Sequence, residues 1–210
     1  MNFEMGNPPI GDERLLLNEI THRFNNEFAA AIGIVSVAMA SSKAEEARAA
    51  LATVLDRLQN LGRLHQSLQI PDHETRVDVG AYLRPLCAAI VRSQLEYRGI
   101  RLTLVEHSFP LSSVKCWMLG MILAELVFNS ARHAFQGMSE GAEIYVEVQS
   151  RGRLVECLIR DNGMGAATLK AGHGLKIVQA LAGRLNGAIN HQFSAQGCLA
   201  TLTFPLTPAA

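Results

Sequence analysis

The densest chemistry in the chain lies between Leu158 and Val178, LIRDNGMGAATLKAGHGLKIV. An apolar, strand-like run from Leu154 to Ile159 leads to Asp161 and breaks into Asn162-Gly163-Met164-Gly165. A second small turn, Gly172-His173-Gly174, opens a helical pattern of Leu175, Ile177, Val178 and Leu181. Glycines at 163, 165, 172 and 174 let the backbone bend sharply and approach a ligand with no Cβ in the way. The second pair sits where a helix begins, and a helix N-terminus attracts phosphate. Asp161, ending a buried strand, can accept a hydrogen bond from an amino group such as that of adenine. The stretch therefore reads as a nucleotide site. Taken alone it reads equally well as a glycine-rich turn between strand and helix. A GxxxxGK[ST] phosphate loop is absent, and neither glycine pair has the third glycine of a dinucleotide fingerprint.

Two further clusters carry usable chemistry. Glu125, Asn129 and Arg132 fall at i, i+4 and i+7, on one helix face. Asn129 offers a neutral oxygen suited to Mg²⁺, which prefers oxygen ligands, waters and substrate phosphates. Arg132 suits a phosphate. A solvated helix exterior gives the same stripe. Near the N-terminus His22 adjoins an apolar face, with Glu19 one turn before it and Asn26 one turn after. An imidazole held at one nitrogen is a candidate nucleophile at the other; an ordinary surface histidine is the plainer reading. The remaining histidines are assigned no chemistry. No two histidines have metal-ligand spacing on one helix, and no nucleophile elbow occurs.

Several elements must position these groups. Residues 1–11 read as a disordered lead with no sensory domain, and Asp12 as a helix cap with Glu13 in the first turn. Leu16, Ile20, Phe24, Phe28, Ala31, Val35 and Met39 recur at helical spacing, which predicts a helix roughly 40 Å long at ~1.5 Å per residue. Ser42 with Glu45 resembles a capping box. A second helix carries Leu51, Val54, Leu58, Leu61, Leu64 and Leu68 and ends before Pro71. Two such helices alone bury too little, so the expectation for residues 12–70 is a hairpin that forms a four-helix bundle with a second copy. Residues 75–206 follow as a second domain. They read as a short strand at 76–79, a helix from Ala81 to Tyr97 with Pro85 in its first turn, and a strand from Ile100 to Glu106. A long helix from Val114 to Phe135 comes next, then a hairpin of strands across Ser150-Arg151-Gly152. A helix at 174–185 and strands near 188–194 and 198–204 close the domain, leaving a 207–210 tail. Mixed strands with helices on one face predict an α/β sandwich, and the whole an α+β chain.

Composition bounds the function. The chain has 210 residues, 49% of them hydrophobic and 18% charged, with 19 basic and 19 acidic side chains. Zero net charge gives no general attraction to nucleic acid or to an anionic membrane. Cys87, Cys116, Cys157 and Cys198 form no CxxC pair, which suits reduced core thiols in the cytosol. Residues 1–12 are polar, unlike a signal peptide, and the apolar run from Phe28 to Ala40 is too short to span a bilayer. A cytoplasmic protein is expected.

Together the motifs resemble those of sensor histidine kinases, in the class whose phosphoacceptor box reads His-Arg-x-x-Asn. Leu17-Asn18-Glu19-Ile20-Thr21-His22-Arg23-Phe24-Asn25-Asn26 is similar to that box, and Leu61 to Leu68 to the end of the second bundle helix. Residues from Glu125 through Asn129 to Ala134 resemble the asparagine box. Asp161-Asn-Gly163-Met-Gly165 and Gly172-His-Gly174-Leu175 resemble the two glycine boxes. The resemblance runs from about residue 13 to 206. It implies a dimerisation and phosphotransfer hairpin followed by a Bergerat-type ATP-binding domain. It also implies Mg²⁺-ATP as phosphoryl donor, His22 as acceptor, and a response-regulator aspartate as the next recipient. On this resemblance Asn129 holds Mg²⁺, and Glu19 or Glu125 orients or deprotonates the imidazole beside Asn26. Nucleotide contacts fall to Asn129, Arg132, Asp161, Gly163, Gly165, Gly172, Gly174 and Leu175. Glu27 stands where another polar amide often continues the acceptor box. The segment from Ala166 to Ala171 leaves little of the loop that covers ATP. A histidine phosphotransferase, relaying phosphate between response regulators without ATP, therefore stands as the alternative.

Overall fold

The computed structural model describes residues 10–69, 76–138, 140–164 and 173–206, with side chains described from Asn26 onward, His173 excepted. Two compact units divide the chain between Gln66 and Ser67.

The first unit is two helices, α1 (Ile10–Ser41) and α2 (Glu45–Ser67), joined by three residues. Phe28 of α1 has its ring centroid 6.1 Å from that of His65 in α2, so α2 runs back along α1. Asp12 was expected as a cap but lies inside α1. The capping box at Ser42 does not form either. The Ser42 hydroxyl donates to the Ala44 carbonyl at 3.5 Å, and α2 starts at Glu45, which makes Ala44 the residue before the helix. Glu45 and Glu46 instead supply negative charge to the first turn, and Glu45 pairs with Arg48 at 2.7 Å. Among the described residues of this unit, Asn60 and Leu64 are buried. Ile34 is 71% exposed and Val37 70% exposed.

The second unit begins with β1 (Arg76–Asp78) and α3 (Val79–Ile90). Asp78 caps α3, accepting from the Ala81 amide at 2.8 Å. The helix therefore starts two residues earlier than the sequence suggests, and Pro85 falls inside it rather than in its first turn. The missing N–H would have served Ala81; both residues are exposed, so the proline sits on the outer face. The α-helix also ends short of Tyr97. A π-turn over Val91–Leu95 follows, then a 3₁₀ turn over Glu96–Arg98 that Gly99 closes at φ 66°. The wider turn allows Ile90 and Leu95, five residues apart, both to be fully buried.

Next come β2 (Arg101–Glu106), β3 (Pro110–Ser112) and α4 (Ser113–His133), which Ser112 caps by accepting from the Lys115 amide. Then follow β4 (Glu143–Arg151), β5 (Leu154–Asp161), α5 (His173–Arg184), β6 (Ala188–Ser194) and β7 (Gly197–Pro205). The β1–β3 pair, antiparallel with Val77 opposite Leu111, was not foreseen; three residues starting at a proline carry no readable period. The main sheet runs β2-β4-β5-β7-β6, parallel at β2–β4 and antiparallel elsewhere. Gly152 turns the β4–β5 hairpin at φ 62°.

Alternation divides the sheet into two faces. Ile144, Val146, Val148, Val155, Cys157, Ile159, Ala200, Leu202 and Phe204 are buried on one of them. On that side α3 packs on β2, α4 on β5 and α5 on β6. Helices α3 and α4 approach closely at Gly120, where a Cβ would lie 2.9 Å or less from Tyr82 and Leu86. The architecture is thus α+β, a helix pair followed by an α/β sandwich. α4 is long and apolar enough to cross a membrane by composition, but 56% of that window is buried within the protein, as a core helix is.

Candidate functional site

The site is built where β5 ends. Asp161 is 3% exposed, and its carboxylate is held from three sides. Oδ1 accepts from the amides of Gly163 at 3.2 Å and Cys198 at 3.1 Å. Oδ2 accepts from the Ser130 hydroxyl at 2.7 Å. A carboxylate taken from water needs such donors to stay charged. Asn162, the next residue, turns outward and ties β5 to β4: its Oδ1 accepts from the Glu143 amide at 2.8 Å, and its Nδ2 donates to the Gly141 carbonyl at 2.7 Å.

The glycines act through close approach. A Cβ on Gly163 would run into the Ala134 carbonyl. That carbonyl accepts from the Met164 amide at 3.0 Å, which straps the loop to the end of α4. Gly174, in the first turn of α5, faces α4 from the other side. A Cβ there would lie 2.6 Å from Glu125 Oε2 and 3.7 Å from Asn129 Nδ2. The Glu125 carboxylate consequently sits at the positive end of α5.

Helix α4, strand β5 and helix α5 thus bring Glu125, Asn129, Asp161, Gly163 and Gly174 into one neighbourhood. Glu125 and Asn129 are half-buried, Leu175 half-buried and Arg132 exposed. Gly165 and Gly172 lie outside the described residues. Glu19 and His22 lie in α1, with side chains outside the described set, and Asn26 is exposed on the same helix. Among the described residues no group of three His, Cys, Asp or Glu could hold a metal ion.

Sequence reasoning missed three contributors. Ser130 falls at helical spacing with Leu119, Ile122 and Leu126, on the apolar stripe of α4. A hydroxyl on a core stripe, one residue past Asn129, was the available signal. Gly197 and Cys198, at the start of β7, gave no local signal. The Cys198 thiol is pushed up to about 11 by burial and then by the nearby negative charge of Asp161, so it stays neutral. Burial also pushes the Cys87 and Cys116 thiols up to about 12, and Cys157 higher still; all four cysteines are free.

A groove of about 540 Å³ lies at the same end of the sheet, lined among others by Tyr145, Arg160, Gln192 and Leu199. Those residues alternate with the buried ones, which puts the groove on the face away from Ser130.

Residues 19–94 match the histidine kinase family model HisKA_2. The sensor histidine kinase PdtaS of Mycolicibacterium smegmatis is 25% identical over 151 residues, covering 71% of this chain and 30% of that protein. This chain thus spans less than a third of the length of that curated relative. The histidine kinase domain of the blue-light activated histidine kinase EL346 from Erythrobacter litoralis has a TM-score of 0.62 at 19% identity, covering 93% of each chain. A bacterial phosphotransferase has a TM-score of 0.61 at 13% identity, covering 93% of this chain and 98% of its own. Both have the same fold, a helix pair followed by an α/β sandwich. Fold and family match together define the class as histidine-kinase-like. More particularly, residues 19–94 resemble histidine kinases, and the chain is similar to a sensor histidine kinase and shares the fold of a histidine kinase domain.

Proposed function

We propose that this chain is an ATP-dependent protein-histidine kinase that phosphorylates its own His22 and passes the phosphoryl group to an aspartate of a response-regulator receiver domain. The observation that carries the reading is the buried Asp161 carboxylate, clamped by three donors and flanked by two glycines at which a Cβ would collide with α4. Residues 75–206 act as the ATP-binding domain. Residues 12–70 act as the acceptor hairpin, and two copies of it form a four-helix bundle. Zero net charge gives no general attraction to nucleic acid or to an anionic membrane, which favours a cytoplasmic setting with neither as partner.

Asp161 accepts from the adenine amino group. Gly163, Gly165, Gly172 and Gly174 keep the backbone close to the nucleotide, and Leu175 packs at the start of α5. Asn129 supplies an oxygen to Mg²⁺, and Arg132 offsets phosphate charge. Bound ATP supplies the phosphoryl group: a ring nitrogen of His22 attacks the terminal phosphorus in line, the bridging P–O bond breaks and ADP leaves. Glu19 or Glu125 takes the imidazole proton, and Asn26 orients the ring. Positioning and charge neutralisation do most of the catalysis, as in other phosphoryl transfers.

A second reading is a phosphotransferase that relays phosphate without ATP. The short segment from Ala166 to Ala171 and the fold shared with a bacterial phosphotransferase favour it. Calorimetric titration with Mg²⁺-ATP, run beside radiolabel transfer, separates the two. The kinase reading expects weak but measurable binding, lost in Asp161→Asn and Asn129→Ala, and slow labelling of His22. No binding at millimolar ATP, with rapid phosphate exchange between His22 and a phosphorylated regulator, would establish the relay.

A further inference from the structure

The carboxylate of Asp161 leaves few directions open. A carboxylate has about four acceptor sites. Two on Oδ1 are taken by the amides of Gly163 and Cys198, and one on Oδ2 by the Ser130 hydroxyl. One acceptor site on Oδ2 remains. Ser130 has spent its only proton on Asp161, so its oxygen presents lone pairs and no donor. Among the described residues no donor reaches that oxygen. Two oxygens joined by the Ser130 proton therefore stand 2.7 Å apart at the end of β5, each with a lone pair left and no hydrogen to offer a ligand.

We infer that Ser130 and Asp161 together read the exocyclic amino group of a 6-aminopurine, with Ser130 the residue that sets specificity. This deepens the kinase reading and rests on it. An –NH₂ group brings two donors, one for Oδ2 and one for the Ser130 oxygen. A 6-oxopurine, such as that of inosine or guanosine triphosphate, brings a carbonyl oxygen against two acceptors. Accepting it requires Ser130 to turn its proton away from Asp161, which strips the buried carboxylate of a donor. Sites that hydrogen-bond a substrate N–H reject analogues lacking it far more strongly than apolar pockets reject a missing methyl group. Ser130 is also what keeps Oδ2 aimed. Without its hydroxyl the carboxylate rests on the two contacts to Oδ1 alone.

The test is calorimetric titration of the full chain with Mg²⁺-ATP and with Mg²⁺-inosine triphosphate, for the wild type, Ser130→Ala and Ser130→Thr. Melting temperature without nucleotide checks that each variant is folded. The wild type is expected to prefer ATP by at least about tenfold, the worth of one hydrogen bond to a charged group. Ser130→Ala should weaken ATP roughly tenfold while leaving inosine triphosphate nearly unchanged, so the preference collapses. Ser130→Thr, which keeps the hydroxyl, should restore it. A purely structural role would weaken both nucleotides alike. If ATP binds but Ser130→Ala retains the wild-type preference, or Ser130→Thr fails to restore it, the assignment of Ser130 falls while the nucleotide site stands. If the wild type binds neither nucleotide at millimolar concentration, the kinase reading itself fails, and the specificity assignment with it.

Discussion

Gly197 backs directly onto the peptide carbonyl of Asp161. Its φ of 123° is open to glycine and strained for other residues, and a Cβ there would overlap that carbonyl. The same approach aims the Cys198 amide at Asp161 Oδ1. Gly197→Ala should therefore act twice, destabilising the second unit by ~1–3 kcal/mol and displacing Asp161 from its donors. Urea denaturation would show the lower midpoint, and nucleotide titration of the protein still folded would show weakened ATP. Unchanged stability and affinity would mean that β7 absorbs the methyl group by shifting, so that the approach does not fix Asp161.

His22 carries the acceptor assignment. His22→Gln should abolish phosphohistidine formation, whether the donor is ATP or a phosphorylated regulator, while circular dichroism stays unchanged. Radiolabel retained at wild-type level in that variant would overturn the assignment and direct the next substitution to His65.

Acid stability should depend on Asp78. Its carboxyl is held below the ordinary value, first by the hydrogen bond from Ser108 and next by the Ala81 amide. A carboxylate with a lowered folded-state pKa adds stability that is complete above its unfolded value of ~3.9 and is lost as pH falls through the folded value. The melting temperature of Asp78→Asn, which keeps a capping side chain without the charge, should fall less steeply than wild type below about pH 4. Asp78→Ala should cost about 1 kcal/mol at neutral pH through the lost cap. Parallel acid limbs for wild type and Asp78→Asn would rule out this contribution.

The first unit should hold two copies together. Ile34 and Val37 on α1, and Val54 at 46% exposure on α2, leave apolar surface in water at ~25 cal/mol per Å². Light scattering should give a dimer for the wild type and a smaller mass for Ile34→Glu/Val37→Glu. A wild-type monomer at high micromolar concentration would remove the basis for the bundle.

The sequence by itself determined the order of helices and strands apart from β3, because periods of 3.6 and 2 are local properties that a few consecutive residues reveal. It also marked Asp161, Asn129 and the glycines, whose types stand out within short windows. Helix ends were less legible. Asp12 and Ser42 are good caps in principle, yet α1 and α2 place their ends elsewhere, since a cap is one contribution of about 1 kcal/mol among many. The tertiary structure decided which side chains meet. Ser130 and Asp161 are 31 residues apart, and Cys198 and Asp161 are 37 apart. No period links such positions. They are joined because α4 packs on β5 and β7 pairs with it in one register, and a shift of one residue would turn Asp161 to the other face of the sheet.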